Sequence, residues 1–338
     1  MNRKALTTFR WTAFQLLFGL IFCASSTILL CSIAAAQDTA VKITETDGKV
    51  RVEIGGKLFT EYCYKDTPRP YLYPVIGAAG EAVTRDWPMK DTPDEPKDHP
   101  HHRSLWYAHG DVNGMDFWSD NPKAGKIVHD GITKAASGTK SGVIAAKNKW
   151  VALDGTIACT DEREMTFQSA PDGKGVLMDF NITLKAPADK PLSLGDTKEG
   201  SMAMRLKPSM QLTLNKKPGQ GHIVNSEGVK DNETWGKNGA WCDYYGPVNG
   251  KMSGVAIFDH PSNPRHPTWW HVRDYGLFAA NPFGQHDFEK KANQKGLGDL
   301  KLPAGGSVTF RYRLYFHEGD EKQGKVAERY NEYKEVKF

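Results

Sequence analysis

The sequence predicts an all-β protein, one large antiparallel β-sandwich of many strands with a short helix at its C-terminal end. Apolar and polar residues alternate with a period of two along most short segments after residue 40, which is typical of half-buried strands. Turn-forming pairs such as Asp154-Gly155 and Asp172-Gly173 separate several of these segments, as hairpins require. Helical spacing is found at residues 321–336, so strand is expected to follow strand along almost the whole chain.

The predicted strands start with residues 42–44, 50–54 and 57–62, which alternate around Gly48 and Gly55-Gly56. Prolines then interrupt the pattern in two polar loops, residues 64–77 and 84–100, because proline offers no backbone donor to a sheet. The later strand segments are residues 142–146, 150–153, 156–160, 162–168, 176–184, 203–214, 254–258, 276–280 and 307–316.

The first 36 residues are expected to be a secretory signal peptide. Arg3, Lys4 and Arg10 precede an apolar run, residues 11–33, that ends in three small residues before Gln37. The alternative is a retained membrane anchor, since the run approaches the length of a spanning helix. We expect a secreted or periplasmic protein with no stable membrane insertion after the signal is cleaved.

Residues 37–338 are expected to form a single β-sandwich domain. Cleavage removes three basic residues and no acidic ones, so the formal net charge falls from +4 to +1, which gives no electrostatic reason to expect nucleic-acid binding. The remaining cysteines, Cys63, Cys159 and Cys242, have no CxxC spacing. At most one disulfide is expected, and the pairing stays open.

The densest group of titratable and aromatic residues lies at residues 98–118, DHPHHRSLWYAHGDVNGMDFW. A buried role for so many polar side chains would need a partner for each one, so a functional site is the stronger interpretation. Three interpretations fit these residue types. They are a sugar site with aromatic stacking faces and His or carboxylate acid–base groups, a metal site, and a structural role as loop caps and core.

Individual roles follow from these interpretations. His101, His102 and His109 are the candidate acid–base groups, and His99 with His101 forms an HxH pair that suits a divalent transition metal if the segment is extended. The candidate substrate-binding residues of this segment are Arg103, Trp106, Asp111, Asn113, Asp116 and Trp118. Core packing for the tryptophans, an ion pair for Arg103 and a turn for Asp116 are the structural alternatives.

A second cluster at residues 259–271, DHPSNPRHPTWWH, loosely repeats the first. We expect Arg265 and His271 from this cluster, and Asn281 and His286 from the end of the next strand, to contribute to substrate binding. The two clusters would then share one pocket, although chance similarity explains the repeat equally well. No GxSxG, Walker or GxGxxG motif is present, so serine-hydrolase and nucleotide-binding functions have no support.

Long segments resemble a known family. KLFTEYCYKDTPRPYLYPVIG, the 98–118 segment, FDHPSNPRHPTWWHVRDYGLFAANPFG and LPAGGSVTFRYRLYFHEGD together resemble the secreted bacterial family labelled "methane oxygenase PmoA", a domain of unknown function. The resemblance implies an exported protein of planctomycete type. It does not imply methane oxidation, because the membrane subunit of that enzyme has several spanning helices and this chain has one apolar segment.

The closing turn and strand, from residue 302 onward, are also similar to the end of galactose-mutarotase-like supersandwich domains. That resemblance implies acid–base work on a sugar by a His and a carboxylate from facing strands. The function we predict is therefore an exported carbohydrate-active protein, a lyase, hydrolase or epimerase, acting on a carbohydrate or other small-molecule ligand. The alternative is a non-catalytic sugar-binding or metal-binding protein of the cell envelope.

Overall fold

The computed structural model describes residues 39–338, and the predicted signal peptide lies outside them. That part of the chain contains twenty β-strands and two short α-helices, α1 (Gln285–Phe288) and α2 (Val326–Tyr333). The strands are β1 (Val41–Thr46), β2 (Lys49–Ile54), β3 (Lys57–Cys63), β4 (Tyr71–Leu72), β5 (Leu105–His109), β6 (Lys126–Ala136), β7 (Ser141–Val151), β8 (Ile157–Ser169), β9 (Gly175–Lys185), β10 (Leu192–Leu194), β11 (Gly200–Arg205), β12 (Thr213–Leu214), β13 (Lys217–Pro218), β14 (His222–Asn225), β15 (Trp241–Val248), β16 (Lys251–Asp259), β17 (Trp269–Val272), β18 (Leu277–Asn281), β19 (Leu300–Leu302) and β20 (Ser307–Glu318).

Most strands belong to two eight-stranded sheets in which every neighbouring pair is antiparallel. The first sheet has the order β1-β2-β3-β4-β5-β11-β18-β17, and the second has the order β14-β15-β16-β20-β9-β8-β7-β6. The hairpins at Asp154-Gly155 and Asp172-Gly173 are present, with both glycines at positive φ, where a side chain would be strained.

Aromatic side chains pack between the two sheets. Phe59 of the first sheet lies edge-on to Phe167 and Phe316 of the second, with ring centroids 6.0 and 5.3 Å apart. Tyr107 of β5 stacks on Phe180 of β9 at 6.2 Å. Burial of one such ring stabilises the fold by roughly 1.5–3 kcal/mol. The predicted antiparallel β-sandwich is therefore confirmed.

Helix α2 covers part of the outer face of the second sheet. Tyr330 and Tyr333 pack on Phe258 of β16 at centroid distances of 5.7 and 6.1 Å, and Val326 is fully buried. The helix lies within the predicted residues 321–336. No helix of residues 39–338 is long and apolar enough to cross a membrane.

Several strand boundaries differ from the predicted ones. β7 and β8 each join two predicted segments, because the alternation of buried and exposed residues continues through residues 147–149 and residue 161. β11 ends at Arg205, and the predicted strand at residues 203–214 is wrong for residues 206–212, because Pro208 begins a 3₁₀ turn; residues 213 and 214 belong to β12. The three cysteines of the described residues are all free thiols, so none of the open disulfide pairings is formed.

The first sheet is covered on its outer face as well as its inner face near its β17 edge. Every residue of β5, β11, β18 and β17 is buried. A row of paired residues crosses these strands in the order Trp106, Ala203, Ala279 and His271. The two short alanine side chains leave room above the sheet for the loops that cover this face.

Candidate functional site

A cleft of about 470 Å³ lies over this outer face. Four connecting segments and the ends of two strands form its walls: the loop before β5, the loop after it, the segment before β11, and the turn between β17 and β18. The lining residues are His99, His101, His102, Gly110, Asp116, Trp118, Ser119, Lys198, Glu199, His271, Arg273, Tyr275 and Leu277. Six of these residues are sequence-predicted site residues, and they come from both histidine-rich clusters.

Four rings form a column along one wall of the cleft. Tyr275 stacks on His99 at a centroid distance of 5.4 Å, and His99 stacks on His102 at 4.7 Å. His102 in turn stacks on Trp106 at 5.3 Å, and Trp118 packs against Trp106 at 5.1 Å. Ring stacking fixes the orientation of each imidazole, so the column is a rigid wall.

Arg205 of β11 holds the column from below. Its guanidinium, which is 1% exposed, donates to both carboxylate oxygens of Asp98 at 2.9 Å and to Nδ1 of His102 at 3.0 Å. The Asp98 carboxylate also contacts His99 Nδ1 at 2.5 Å. One arginine therefore positions two imidazoles through direct and carboxylate-mediated contacts.

Two further arginines, both fully buried, fix the backbone of the same loop. Arg85 donates to the carbonyl of His99 at 3.0 Å, and Arg69 donates to the carbonyl of His101 at 3.2 Å. Arg69 also pairs with Asp120 at 2.8 Å. A loop without regular structure is held in one conformation because charged donors satisfy its carbonyl groups.

Three imidazoles of the cleft, those of His101, His102 and His271, are neutral near pH 7. Burial, followed by the charge of Arg69, lowers the pKa of His101 to about 4. Burial together with His101 and Arg205 holds the pKa of His102 far below its usual range. Burial lowers the pKa of His271 to about 3. These side chains therefore offer lone pairs as well as N–H donors.

His271 has a defined tautomer. Its Nδ1 lies 2.6 Å from the carbonyl oxygen of Lys198, which only accepts hydrogen bonds, so Nδ1 carries the proton. Nε2 makes no hydrogen bond to any residue among 39–338. An unprotonated nitrogen at the cleft is thereby available to accept a hydrogen bond from a ligand.

Asp116 lines the cleft, and its carboxylate is largely used by its own loop. It accepts from the backbone N–H groups of Trp118 at 2.7 Å and Ser119 at 3.1 Å, and from the Ser119 hydroxyl. This Asx-turn geometry shapes the loop after β5 and sets the position of Trp118.

Five other predicted residues of the 98–118 segment lie outside the cleft lining. His109 is on the face of β5 that also carries Tyr107, and it packs on Phe283 at 4.4 Å inside the sandwich. Arg103 forms an ion pair with Asp120 at 2.9 Å. Asp111 and Asn113 accept from the backbone N–H groups of Gly114 at 2.9 Å and Ser193 at 2.7 Å, respectively. Trp106 lies beneath the column, at the base of the stack.

The second cluster contributes His271 to the lining, while Arg265 and the predicted residues after β18 contact nearby backbone or a carboxylate. Arg265 donates to the carbonyls of Pro282 at 2.9 Å and Asp299 at 2.7 Å. Asn281 donates to the carbonyl of Thr197 at 3.0 Å, and His286 contacts the Asp196 carboxylate at 2.7 Å. These contacts brace the segment that carries Lys198 and Glu199 into the cleft.

Lys198, Glu199, Arg273 and Tyr275 line the cleft and were not among the predicted site residues. Arg273 and Tyr275 follow His271 by two and four residues. This spacing at alternate positions after a predicted site residue is the sequence signal that indicates them. Lys198 and Glu199 carry no comparable signal, because antiparallel pairing of β11 with β5 brings them beside the first cluster.

No group of three or more His, Cys, Asp or Glu side chains within residues 39–338 has the arrangement of a metal site. The predicted pair His99 and His101 has ring centroids 5.6 Å apart and nearly perpendicular planes, at 70°. His99 instead stacks face to face on His102, at a centroid distance of 4.7 Å.

Solved structures of low similarity include carbohydrate enzymes. A candidate aldose 1-epimerase from Klebsiella pneumoniae is 9% identical, with a TM-score of 0.36 over 86% of this chain and 82% of that chain. A 4-alpha-glucanotransferase from Thermococcus litoralis is 10% identical, with a TM-score of 0.25 over 84% of this chain and 40% of that chain. A polysaccharide lyase is 12% identical, with a TM-score of 0.31 over 85% of this chain and 34% of that chain.

The chain thus spans less than half the length of the glucanotransferase and of the lyase. Likenesses with these scores carry no inference about activity. No curated protein matches the chain. Residues 49–331 match a family model, and this span includes every residue of the cleft. The chain therefore belongs to the family of unknown function DUF6807.

Proposed function

We propose that the protein is an exported carbohydrate-active protein and that the cleft binds a sugar or sugar derivative. The observation that carries this proposal is the pairing of ring faces with free polar atoms in one cleft. Tyr275 supplies a partly exposed ring, the buried ring of Trp118 lies behind the lining, and His271, whose Nε2 has no partner among residues 39–338, belongs to the same lining. Pyranose rings present apolar C–H faces and hydroxyl edges, so this combination of groups suits them.

The proposed chemistry is general acid–base catalysis on the bound sugar. Glu199 is the carboxylate in the lining whose side chain is 37% exposed and whose ion-pair partner is the flexible Lys198, at 3.2 Å. His271 donates to the carbonyl of Lys198, the residue next to Glu199. This hydrogen bond fixes the imidazole relative to the backbone that carries Glu199. In this proposal Glu199 transfers the proton, and His271 orients a hydroxyl as a neutral acceptor.

A second candidate function is sugar binding without turnover. It is favoured by the low pKa values of His101 and His271, about 4 and 3, which make these imidazoles weak bases.

Metal binding by His99 and His101 stays a prediction, as does the resemblance to the PmoA-labelled, planctomycete-type family. Export is supported by the basic and apolar pattern of residues 1–36.

Glycan-array binding followed by product analysis of each bound oligosaccharide tests the proposal. We expect binding with product formation, and we expect Glu199→Gln to abolish turnover while affinity changes less than threefold. His271→Asn keeps a donor near the Lys198 carbonyl and should weaken binding. Glu164→Gln, at an exposed position of β8, is the matched control. Binding without product would select the second candidate, and absence of binding to any glycan would refute both.

A further inference from the structure

We infer that the ligand of the cleft is an acidic sugar, whose carboxylate is bound by the guanidinium of Arg273. This inference rests on the proposed function, because it specifies the charge of the sugar that the cleft would take. It depends on three observations: an arginine in the lining without an anionic partner, an excess of arginines behind the lining, and neutral imidazoles around both.

Arg273 follows β17 and lines the cleft in a half-buried position. Its side chain lies over the ring of Tyr275, with Cζ 5.5 Å from the ring centroid. Among residues 39–338 its guanidinium makes no ion pair and no hydrogen bond. The other cation of the lining, Lys198, is paired with Glu199 at 3.2 Å. Arg273 is therefore the lining cation that has donors available for a ligand.

The residues directly behind the lining add positive charge. Asp98 and Asp120 are the two carboxylates that pair with arginines there, and each of them binds two. The four arginines are Arg69, Arg85, Arg103 and Arg205. Three of them are at most 1% exposed, so water screens their charge poorly. The surplus of cations gives the cleft a potential that favours an anion.

The backbone of Arg273, and not its guanidinium, maintains the local fold. Its N–H donates to the carbonyl of Leu277 at 2.8 Å, and its carbonyl accepts from Gly276 at 3.0 Å, which closes the turn before β18. A glutamine at this position preserves both bonds. Apart from its contact with the Tyr275 ring, the guanidinium has no hydrogen bond or ion pair among residues 39–338 that would explain its placement in the cleft.

A carboxylate matches this group best among the anions that sugars carry. Arginine presents two parallel N–H donors that fit the two oxygens of a planar carboxylate, and such charge-assisted pairs are the strong ones. The stack of the guanidinium on Tyr275 restricts its motion, which lowers the entropy lost when a ligand is bound. Sulfated and phosphorylated sugars share the negative charge and serve as separate arms of the test.

The test uses calorimetric titration of the full chain with tetrasaccharides of galacturonate, glucuronate and mannuronate, each beside its carboxyl-reduced neutral counterpart. We expect at least one acidic probe to bind about tenfold or more tightly than its neutral form. This is the difference in affinity expected for one charge-assisted hydrogen bond. Arg273→Gln should remove this preference, so that the variant binds the acidic and neutral forms with equal affinity. The matched control is Arg311→Gln, which also removes an arginine lying over an aromatic ring, Phe338, at 4.8 Å.

The outcomes separate the inference from the proposed function. Equal binding of acidic and neutral probes, or an acidic preference that Arg273→Gln leaves intact, would overturn the inference while sugar binding itself stands. Preference for sulfated or phosphorylated sugars over every carboxylate probe would also overturn it. Lack of binding to all acidic and neutral sugars would refute the proposed function together with the inference.

Discussion

Replacement of His271 by asparagine should change how the stability of the fold depends on pH. Burial lowers the pKa of His271 to about 3 from 6.5, and the side chain is only 3% exposed in the folded state. Below pH 6.5 the unfolded chain binds a proton at this position that the folded chain does not bind. Folding therefore becomes less favourable as the pH falls from 6.5 toward the folded pKa.

The size of the effect follows from this difference in proton binding. Each pH unit between the two pKa values costs about 1.4 kcal/mol, so lowering the pH from 7 to 4.5 removes about 2.5 kcal/mol of unfolding free energy through His271 alone. His271→Asn keeps a donor near the Lys198 carbonyl and does not titrate. Its unfolding free energy should fall by about 2.5 kcal/mol less than that of wild type over the same range.

Urea unfolding monitored by tryptophan fluorescence at several pH values between 7 and 4.5 measures this difference. The other buried histidines act on wild type and variant alike, so their contributions cancel when the two curves are subtracted. His222→Asn, at an exposed site on β14, controls for loss of a histidine as such. Parallel pH curves for wild type and His271→Asn would refute the reasoning, whatever the offset between them.

Three other predictions concern stability and reactivity. His317→Gln should destabilise the fold by about 3 kcal/mol, since it leaves the buried Asp243 without its partner at 3.0 Å. Burial lowers the pKa of His317, but the Asp243 carboxylate outweighs burial, so the folded-state pKa is raised above 6.5. The stabilisation by this pair is therefore complete below pH 6.5 and is lost as the pH rises through the folded pKa. Urea unfolding at pH 6 and pH 9 measures this loss. Arg205→Leu should cost about 2 kcal/mol in the same assay, discounted because Asp98 is 38% exposed. Arg311→Leu should cost far less, because Arg311 is half-buried and leaves no buried carboxylate unpaired. A thiol reagent at pH 8 should label at most one of three thiols before denaturation and all three after it, because burial raises the pKa of each of the cysteines Cys63, Cys159 and Cys242.

The fold could be predicted from the sequence wherever one face of a strand is solvated. Every second residue of β7 is buried, and its sequence shows that alternation directly. All five residues of β5 are buried, so its LWYAH sequence has no alternation to detect. The loops that cover its outer face come from distant parts of the chain. Local periodicity cannot report a covering element that tertiary packing brings there.

The sequence indicated which segments line the cleft, and it did not indicate which of their residues do so. His99 and His102 came from a segment whose polar density indicated a site, and both line the cleft. His109 belongs to the same segment, but a position in β5 turns it toward the sandwich interior, and strand register decides that. Glu199 reaches the cleft because β11 pairs with β5, a contact between residues about ninety positions apart that no local pattern encodes.

Charge and hydrogen-bond acceptance are divided between two residue types in this cleft. Arginine as a residue type keeps its charge across the physiological range, so the positive charge behind the lining does not require protonation of an imidazole. The same arginines add to the effect of burial and keep His101 and His102 neutral. Neutral imidazoles can accept hydrogen bonds from hydroxyl groups, which imidazolium ions cannot do. A ligand with both hydroxyls and a carboxylate would therefore satisfy each set of groups, whereas a simple anion would leave the imidazoles and the aromatic wall unused.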